Sequence, residues 1–491
     1  MKIELNNSDK KKWYLLVIAG IFILGISLRI MVFLYNRPLW LDECQLALSI
    51  LERNIFGFFS ALEFFQSAPP LFMMTLKLFS KVFGIKEFAL RLFPLLCGLI
   101  AIPVFYKFSK MFLIRKWSVV LASFLFAVNC ELIYYSEEVK QYSSDVLFFM
   151  LTFLALNKLS LKNLSIPKII LYSVGISILP LFSIPTCFLI GGWFVRELIS
   201  SKFKCIKKII IFLIPVVIVN ILYYIYVINP QYSLLINRFE QFWSQGFINF
   251  DLLNNFDILK QNIIFFFSSE DFTLLKIGLL MLGLYFVFRR IKSLRNILLI
   301  TSFIFMCMAS YFHIYPLSQR VALYTLPLLI VFIIKPFDYL SVKKKWYSLI
   351  ISIVFLCAFW NPLHLIKFDN YNPSKIHSQA NNARTLMQNL IKYYNGNACV
   401  IVKGASLPEY FYYTKYYNFS PECLIIYNSK SDYKTQLDNL QNGEYWFYHS
   451  FDYPDRPIIP LTKKWAADYE IIYEYETKDT YLLNMRKSYS N

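Results

Sequence analysis

Residues 10–43 read KKKWYLLVIAGIFILGISLRIMVFLYNRPLWLDE, and the layout of that stretch decides the fold. Leu15–Leu34 is a run of apolar residues broken by a single charge, Arg29. At 1.5 Å of helical rise per residue, such a run crosses a hydrocarbon layer about 30 Å thick. Lysines stand before it, and Asp42 and Glu43 stand after it. Basic residues mark the cytoplasmic end of a span, so the N-terminus is expected in the cytoplasm and the acidic pair outside. No small-residue cleavage site follows the run, and the segment is expected to remain as the first helix.

The same pattern recurs along the 491 residues, in Ile209–Ile228, Leu279–Phe288, Ile297–Ala309 and Ser348–Trp360. Hydrophobic residues make up 57% of the chain and charged residues 16%, against roughly 25% charged in an average soluble domain. About eleven spans are expected, near 13–35, 90–108, 117–134, 143–160, 168–183, 185–200, 208–228, 273–289, 297–312, 321–335 and 346–361. The formal net charge of +19 would suggest nucleic acid in a soluble protein. Here the cations gather at alternate connections: Lys10–Lys12, Lys107 to Lys116, Lys158 to Lys168, Arg196 to Lys208, Arg289 to Arg295 and Lys335 to Lys345. The other connections carry Asp42 and Glu43, Glu137 and Glu138, then Asp251, Asp257, Glu270 and Asp271. The basic excess is therefore membrane topology and contact with anionic lipid, and no nucleic-acid partner is expected.

Between the spans, Asn36 to Lys86 and Asn229 to Asp271 are long outer segments, and Leu71–Val82 reads as an amphipathic helix on the membrane surface, with Lys77 and Lys81 on its polar side. After Asn361 the long apolar runs stop. A helix is expected over Asn381–Tyr394, and strands over Cys399–Val402, Cys423–Tyr427, Tyr445–Tyr448 and Tyr469–Tyr475. Cys399 and Cys423 can pair if this region is extracytoplasmic. The fold expected is an all-α polytopic membrane domain, residues 1–361, with extracytoplasmic juxtamembrane helices. A small extracytoplasmic α/β domain, residues 362–491, completes it. The protein is placed in the cell membrane as a multi-pass protein.

Candidate chemistry gathers on the outer turns. Trp40-Leu41-Asp42-Glu43 puts two carboxylates just beyond the first span, and the turn after the third carries Glu137, Glu138, Lys140 and Tyr142, with Asp145 near or inside the fourth. Acids, a lysine and tyrosines in a membrane-surface turn suit a polar cavity better than a lipid face. Solvated loop charge is the plain alternative for the acidic pair. Arg91 and Arg320 begin the second and tenth spans at their outer ends; each either snorkels to lipid phosphate or grips a phosphate by paired hydrogen bonds. A sugar on a lipid phosphate has an anionic leaving group that cations can stabilise, and an acceptor hydroxyl that one carboxylate can deprotonate. A second carboxylate would hold a divalent metal such as Mg or Mn, or orient the acceptor; both remain open. His313 is read as an interfacial residue, and the Gly191-Gly192 pair as helix packing.

The order of these motifs resembles the membrane glycosyltransferases of the C superfamily (GT-C), in the branch similar to protein O-mannosyltransferases and the aminoarabinose transferases of lipid A. The resemblance rests on Trp40-Leu41-Asp42-Glu43, Gln66-Ser67-Ala68-Pro69-Pro70-Leu71, Glu87-Phe88-Ala89-Leu90-Arg91-Leu92, Tyr135-Ser136-Glu137-Glu138, Lys140-Gln141-Tyr142 and Tyr315-Pro316-Leu317-Ser318-Gln319-Arg320. It implies an inverting transfer from a polyprenyl-phosphate sugar to a lipid, glycan or protein acceptor of the envelope. Asp42 would be the base, Glu43 its orienting partner and Glu138 a second acidic residue. Arg91, Lys140 and Arg320 would bind the donor phosphate, with Gln66, Tyr142 and Asp145 nearby. Two other classes stand beside it. A transporter or flippase of lipid-linked saccharides predicts charges deep within helices and a repeat, and neither is visible. A non-catalytic assembly protein predicts that Asp42 is dispensable.

Overall fold

The computed structural model describes residues 7–231, 244–289, 293–340, 383–427, 433–450, 458–477 and 480–487. They form two compact units. One comprises Met1–Tyr35, Ile55–Leu76 and Arg91–Pro373; the other comprises Asn36–Asn54, Lys77–Leu90 and Ser374–Asn491.

The first unit is helical. Its helices are α1 (Asn7–Tyr35), then after the short α2 (Leu41–Glu52) and α3 (Pro70–Phe83), α4 (Glu87–Ser109), α5 (Lys116–Ala127), α6 (Cys130–Tyr134) and α7 (Tyr142–Lys158). There follow α8 (Ile166–Ser177), α9 (Thr186–Ser201), α10 (Ile206–Tyr223), α11 (Leu252–Phe267), α12 (Thr273–Phe288), α13 (Leu294–Tyr311) and α14 (Leu326–Leu340). Helix α2 and the ends of α3 and α4 belong to the second unit. Among the described residues, five helices are long and apolar enough to cross a membrane: Lys11–Tyr35, Glu87–Ser109, Ile206–Gln231, Leu294–Tyr311 and Gln319–Tyr339. The pair Lys116–Ala127 and Cys130–Glu137, bent by 53°, makes a sixth when taken as one span. Shorter helices stand at the expected fourth, fifth, sixth and eighth spans. Near the fifth, Pro180 sits in a short 3-10 turn after α8 and Pro185 precedes α9, which breaks what would otherwise be longer runs. The eleventh expected span, 346–361, lies outside the described residues, as does the expected domain boundary after residue 361.

Outward faces confirm the solvent these helices were built for. Ile210, Ile214, Val217, Ile218 and Ile221 of α10 are exposed, an apolar stripe that water would penalise and lipid accepts. The chain is a multi-pass membrane protein. Inside, α9 and α13 meet at Gly191-Gly192, where a Cβ on Gly192 would lie 2.7 Å from Ser302 N and one on Gly191 3.1 Å from the Phe305 ring. Thr301 Oγ1 donates to Gly192 O at 2.9 Å across the same contact. The pair is a close-packing point, as its sequence suggested.

The second unit holds an α/β layer built from α15 (Ala383–Tyr393), β1 (Cys399–Lys403), α16 (Leu407–Tyr417), β2 (Cys423–Tyr427), α17 (Tyr433–Asp438), β3 (Gly443–His449), α18 (Ile459–Ala466), β4 (Glu470–Glu476) and β5 (Tyr481–Lys487). The sheet runs β2-β1-β3-β5-β4, parallel among its first three strands and antiparallel at β5. Cys399 and Cys423 are register partners on β1 and β2 and form a disulfide. Strand β5 was not legible: Tyr481–Met485 are all buried, so it lacks the in–out alternation that marks a half-exposed strand.

Candidate active site

The acidic pair lies in the first turn of a helix, where the sequence alone suggested an outer loop. In α2, Asp42 and Glu43 occupy the turn where carboxylates favour the positive end of the helix dipole. Glu43 reaches back to accept from the Trp40 N–H at 3.3 Å, and Arg37 Nη1 donates to the same oxygen at 2.9 Å. Glu43 is fully buried, whereas Asp42 is half-buried. The reading as solvated loop charge therefore fails for Glu43. One acid is a fixed part of the helix start, and its neighbour is the accessible one. At the other end of α2, Lys77 Nζ donates to Ile50 O at 2.6 Å and Leu51 O at 3.0 Å, closing carbonyls that the last turn leaves open.

The segment leading into α2 is gripped by residues that sequence reasoning did not single out. Tyr413 of α16 accepts from the Leu39 N–H at 2.9 Å and donates to Glu87 Oε1 at 2.8 Å. Arg384 of α15 donates from Nε to Glu87 Oε1 at 2.9 Å, pairs through Nη2 with Oε2 at 2.7 Å, and donates to Asn36 O at 2.8 Å. Leu39, Glu87 and Tyr413 are all buried, so this is a desolvated, paired arrangement. Lys415 pairs with Glu52 farther along α2. Only Glu87 carried a signal, as part of a quoted motif; its partners lie about three hundred residues away in the chain.

The remaining candidates belong to the first unit. Asn129 caps α6 by accepting from the Leu132 N–H at 3.0 Å and ties that turn to α11 through Phe266 O at 2.7 Å. Glu131, fully buried, accepts from Ser268 Oγ at 3.1 Å. The turn so held carries Glu137, Glu138 and Lys140, all buried, then Tyr142 and Asp145, buried in the first turn of α7. Lys140 Nζ donates to Gln66 Oε1, and Gln141 Nε2 donates to Ser67 O at 3.4 Å, so the Gln66-Ser67 and Lys140-Gln141 motifs meet. Arg320 lies over the Tyr142 ring at 5.9 Å. Arg91 is buried in α4, which rules out a snorkelling role. His313 is exposed and stacks on Phe247 at 4.8 Å, as an interfacial residue would. Among the described residues, no three His, Cys, Asp or Glu side chains gather to hold a metal.

Two buried titratable groups of the α/β layer belong to neither set. Burial, with Lys403 beside it, pushes His449 down to about 3. Its Nε2 lies 3.2 Å from Thr462 Oγ1 and 3.4 Å from Tyr433 OH. Burial pushes Glu409 up to about 8, against a hydrogen bond from Ser450.

No protein-family model and no curated protein matches the sequence. Among the solved structures similar to the chain are two of one protein. ArnT from Cupriavidus metallidurans in the apo state is 12% identical, with a TM-score of 0.55 over 97% of this chain and 98% of that one. The same protein bound to undecaprenyl phosphate is 13% identical, with a TM-score of 0.53 over 98% of each. At such identity the likeness is one of fold, and it spans both the membrane helices and the α/β layer. The chain shares the fold of ArnT, as the order of its motifs led us to expect.

Proposed function

We propose that the chain is a glycosyltransferase that moves a sugar from a polyprenyl-phosphate donor to an acceptor of the cell envelope, at the extracytoplasmic face. The observation that carries the reading is the acidic pair of α2: an accessible Asp42 beside a buried Glu43 held by Arg37, on a fold whose solved relative binds undecaprenyl phosphate. In this reading the acceptor hydroxyl oxygen attacks the anomeric carbon and gives its proton to Asp42. The bond from that carbon to the phosphate oxygen breaks with inversion, and polyprenyl phosphate leaves. The phosphodiester monoanion becomes a monoester dianion. Arg91, Lys140 and Arg320 stabilise the added charge, so no acid is needed to protonate the leaving group. Glu138 is the second acidic residue of the site, with Gln66 and Tyr142 setting Lys140 and Arg320. Asp145 is proposed as a further polar residue of that turn.

Eleven spans, a cytoplasmic N-terminus and an outer α/β domain complete the proposal. Alternating basic connections support the orientation, and a Cys399–Cys423 disulfide suits an oxidising compartment. The alternative use of the second carboxylate, holding Mg or Mn, is separated by chelation: activity lost in EDTA and restored by one ion would assign it. The deciding experiment is transfer by purified protein in lipid from labelled undecaprenyl-phosphate sugars to envelope lipids, with Asp42→Asn alongside. Loss of a general base lowers turnover by roughly 10²–10⁴, with donor KM little changed. Folded wild type that binds the lipid but transfers from no donor would move the reading to transport or scaffolding.

A further inference from the structure

A polar cavity opens in the helical unit, among the connections that the charge pattern assigns to the cytoplasm. It measures about 350 Å³ and is lined by Tyr14, Lys110, Lys116, Arg295 and Lys335, with Ile114 among the apolar residues of its wall. The cations come from four places in the chain: the end of α4, the start of α5, the start of α13 and the end of α14. A lysine that only fixes topology needs to be near the membrane, not to converge with others on one hollow.

Each cation is positioned. Lys110 Nζ lies over the Tyr106 ring at 5.0 Å, and Lys116 Nζ over the Tyr14 ring at 5.3 Å. The two tyrosines are joined by a hydrogen bond from Tyr14 OH to Tyr106 OH at 3.3 Å. The Arg295 guanidinium lies over Phe112 at 4.9 Å and donates to Met111 O. Lys335 donates to Phe112 O at 2.5 Å and to Asp338 at 3.2 Å. Asp338 is itself already occupied, accepting from the Ile114 and Arg115 N–H groups at 3.1 and 2.9 Å. Setting Lys335 against Asp338 still leaves Lys110 and Lys116 lining the cavity beside Arg295.

We propose that this cavity binds the anionic headgroup of a phospholipid. The shared chemistry is a phosphate held by ammonium and guanidinium groups. A lipid is favoured over free phosphate because Ile114 in the wall is exposed, and Trp13, Leu15 and Leu16 of α1, beside the lining Tyr14, are exposed apolar residues where acyl chains can lie. The site is distinct from the proposed transfer site: it shares no residue with it and rests only on the cations' geometry, so it stands whether or not the protein transfers sugar.

Native mass spectrometry of the full-length protein, titrated with phosphatidylglycerol, with phosphatidylcholine and with inorganic phosphate, tests it. Phosphatidylglycerol is expected to bind more tightly than phosphatidylcholine. Lys110→Gln/Lys116→Gln, at two exposed positions that folding tolerates, is expected to weaken it about 25-fold, since a lysine beside an anionic headgroup contributes roughly fivefold. Arg295→Lys keeps the charge and is expected to retain most of the binding. Equal retention of both lipids, or phosphatidylglycerol binding unchanged in the double variant, overturns the proposal. Displacement of the lipid by millimolar inorganic phosphate overturns its lipid identity and assigns the cavity to a soluble anion.

Discussion

Removing one oxygen atom should loosen the segment that carries the acidic pair. In Tyr413→Phe the ring stays in place, but the Leu39 N–H loses its acceptor at 2.9 Å and Glu87 loses one of its donors. Leu39 is fully buried, so water does not replace the lost partner. A buried donor left unpaired costs roughly 1–3 kcal/mol, and about 2 kcal/mol is a fair central figure here. Falling on the closed state of residues 36–43, it raises the opening equilibrium about thirtyfold, at 1.4 kcal/mol per factor of ten. Hydrogen–deuterium exchange of the full chain in nanodiscs reads this directly, in peptides covering the Leu39 and Trp40 amides. The control is Tyr417→Phe, one turn along α16, whose hydroxyl accepts from Gln388 Nε2 at 2.8 Å on an exposed face. Exchange of residues 39–41 that is the same in Tyr413→Phe, Tyr417→Phe and wild type would refute the reasoning. If the transfer reading is also right, turnover should fall in Tyr413→Phe with donor KM nearly unchanged, because Asp42 is displaced and the phosphate-binding cations are not.

Further outcomes follow from other contacts. Glu43→Gln removes the negative charge from the buried pair with Arg37 and should cost about 3 kcal/mol of stability in thermal unfolding, as neutralising one partner of a buried ion pair does. Lys140→Gln should raise donor KM about tenfold, the value of one charge-assisted hydrogen bond, while a folded protein remains. Glu409 keeps its proton in the fold up to about pH 8, whereas an unfolded chain loses it near the ordinary carboxylate value. Its stabilising effect is therefore full below that value and is lost as pH rises towards 8, so melting measured at pH 5 and pH 8 should differ in favour of pH 5. Glu409→Gln should flatten that difference; an unchanged slope would place the titration elsewhere.

Much of the fold could be read from the chain because a bilayer enforces long apolar runs. Short spans and bends were less legible, since Pro180, Pro185 and the break before Cys130 interrupt runs that composition alone would join. Helix α2 was hidden among the mixed residues of Asn36 to Lys86, because its start depends on Glu43 returning to the Trp40 N–H, a contact that needs coordinates. The candidate residues themselves were visible as motifs at turns between the expected spans. Their partners were visible only where spacing was local. Arg37 and Glu43 are six residues apart, whereas Glu87 and Tyr413 are separated by 326.

That separation has a consequence in time. Residues 36–54 and 77–90 are made early, but their partners on α15 and α16 arrive only with the last quarter of the chain. At 5–20 residues per second, the ribosome needs roughly 15–65 s to go from Glu87 to Tyr413. Throughout that interval the start of α2 is outside its finished setting, and Glu87 waits without the arginine that neutralises it. A nascent chain arrested anywhere before α16 should therefore insert in the membrane yet leave the Asn36–Trp40 segment open to protease. Synthesis of α16 is thus also the step that gives the segment carrying the acidic pair its distant partner.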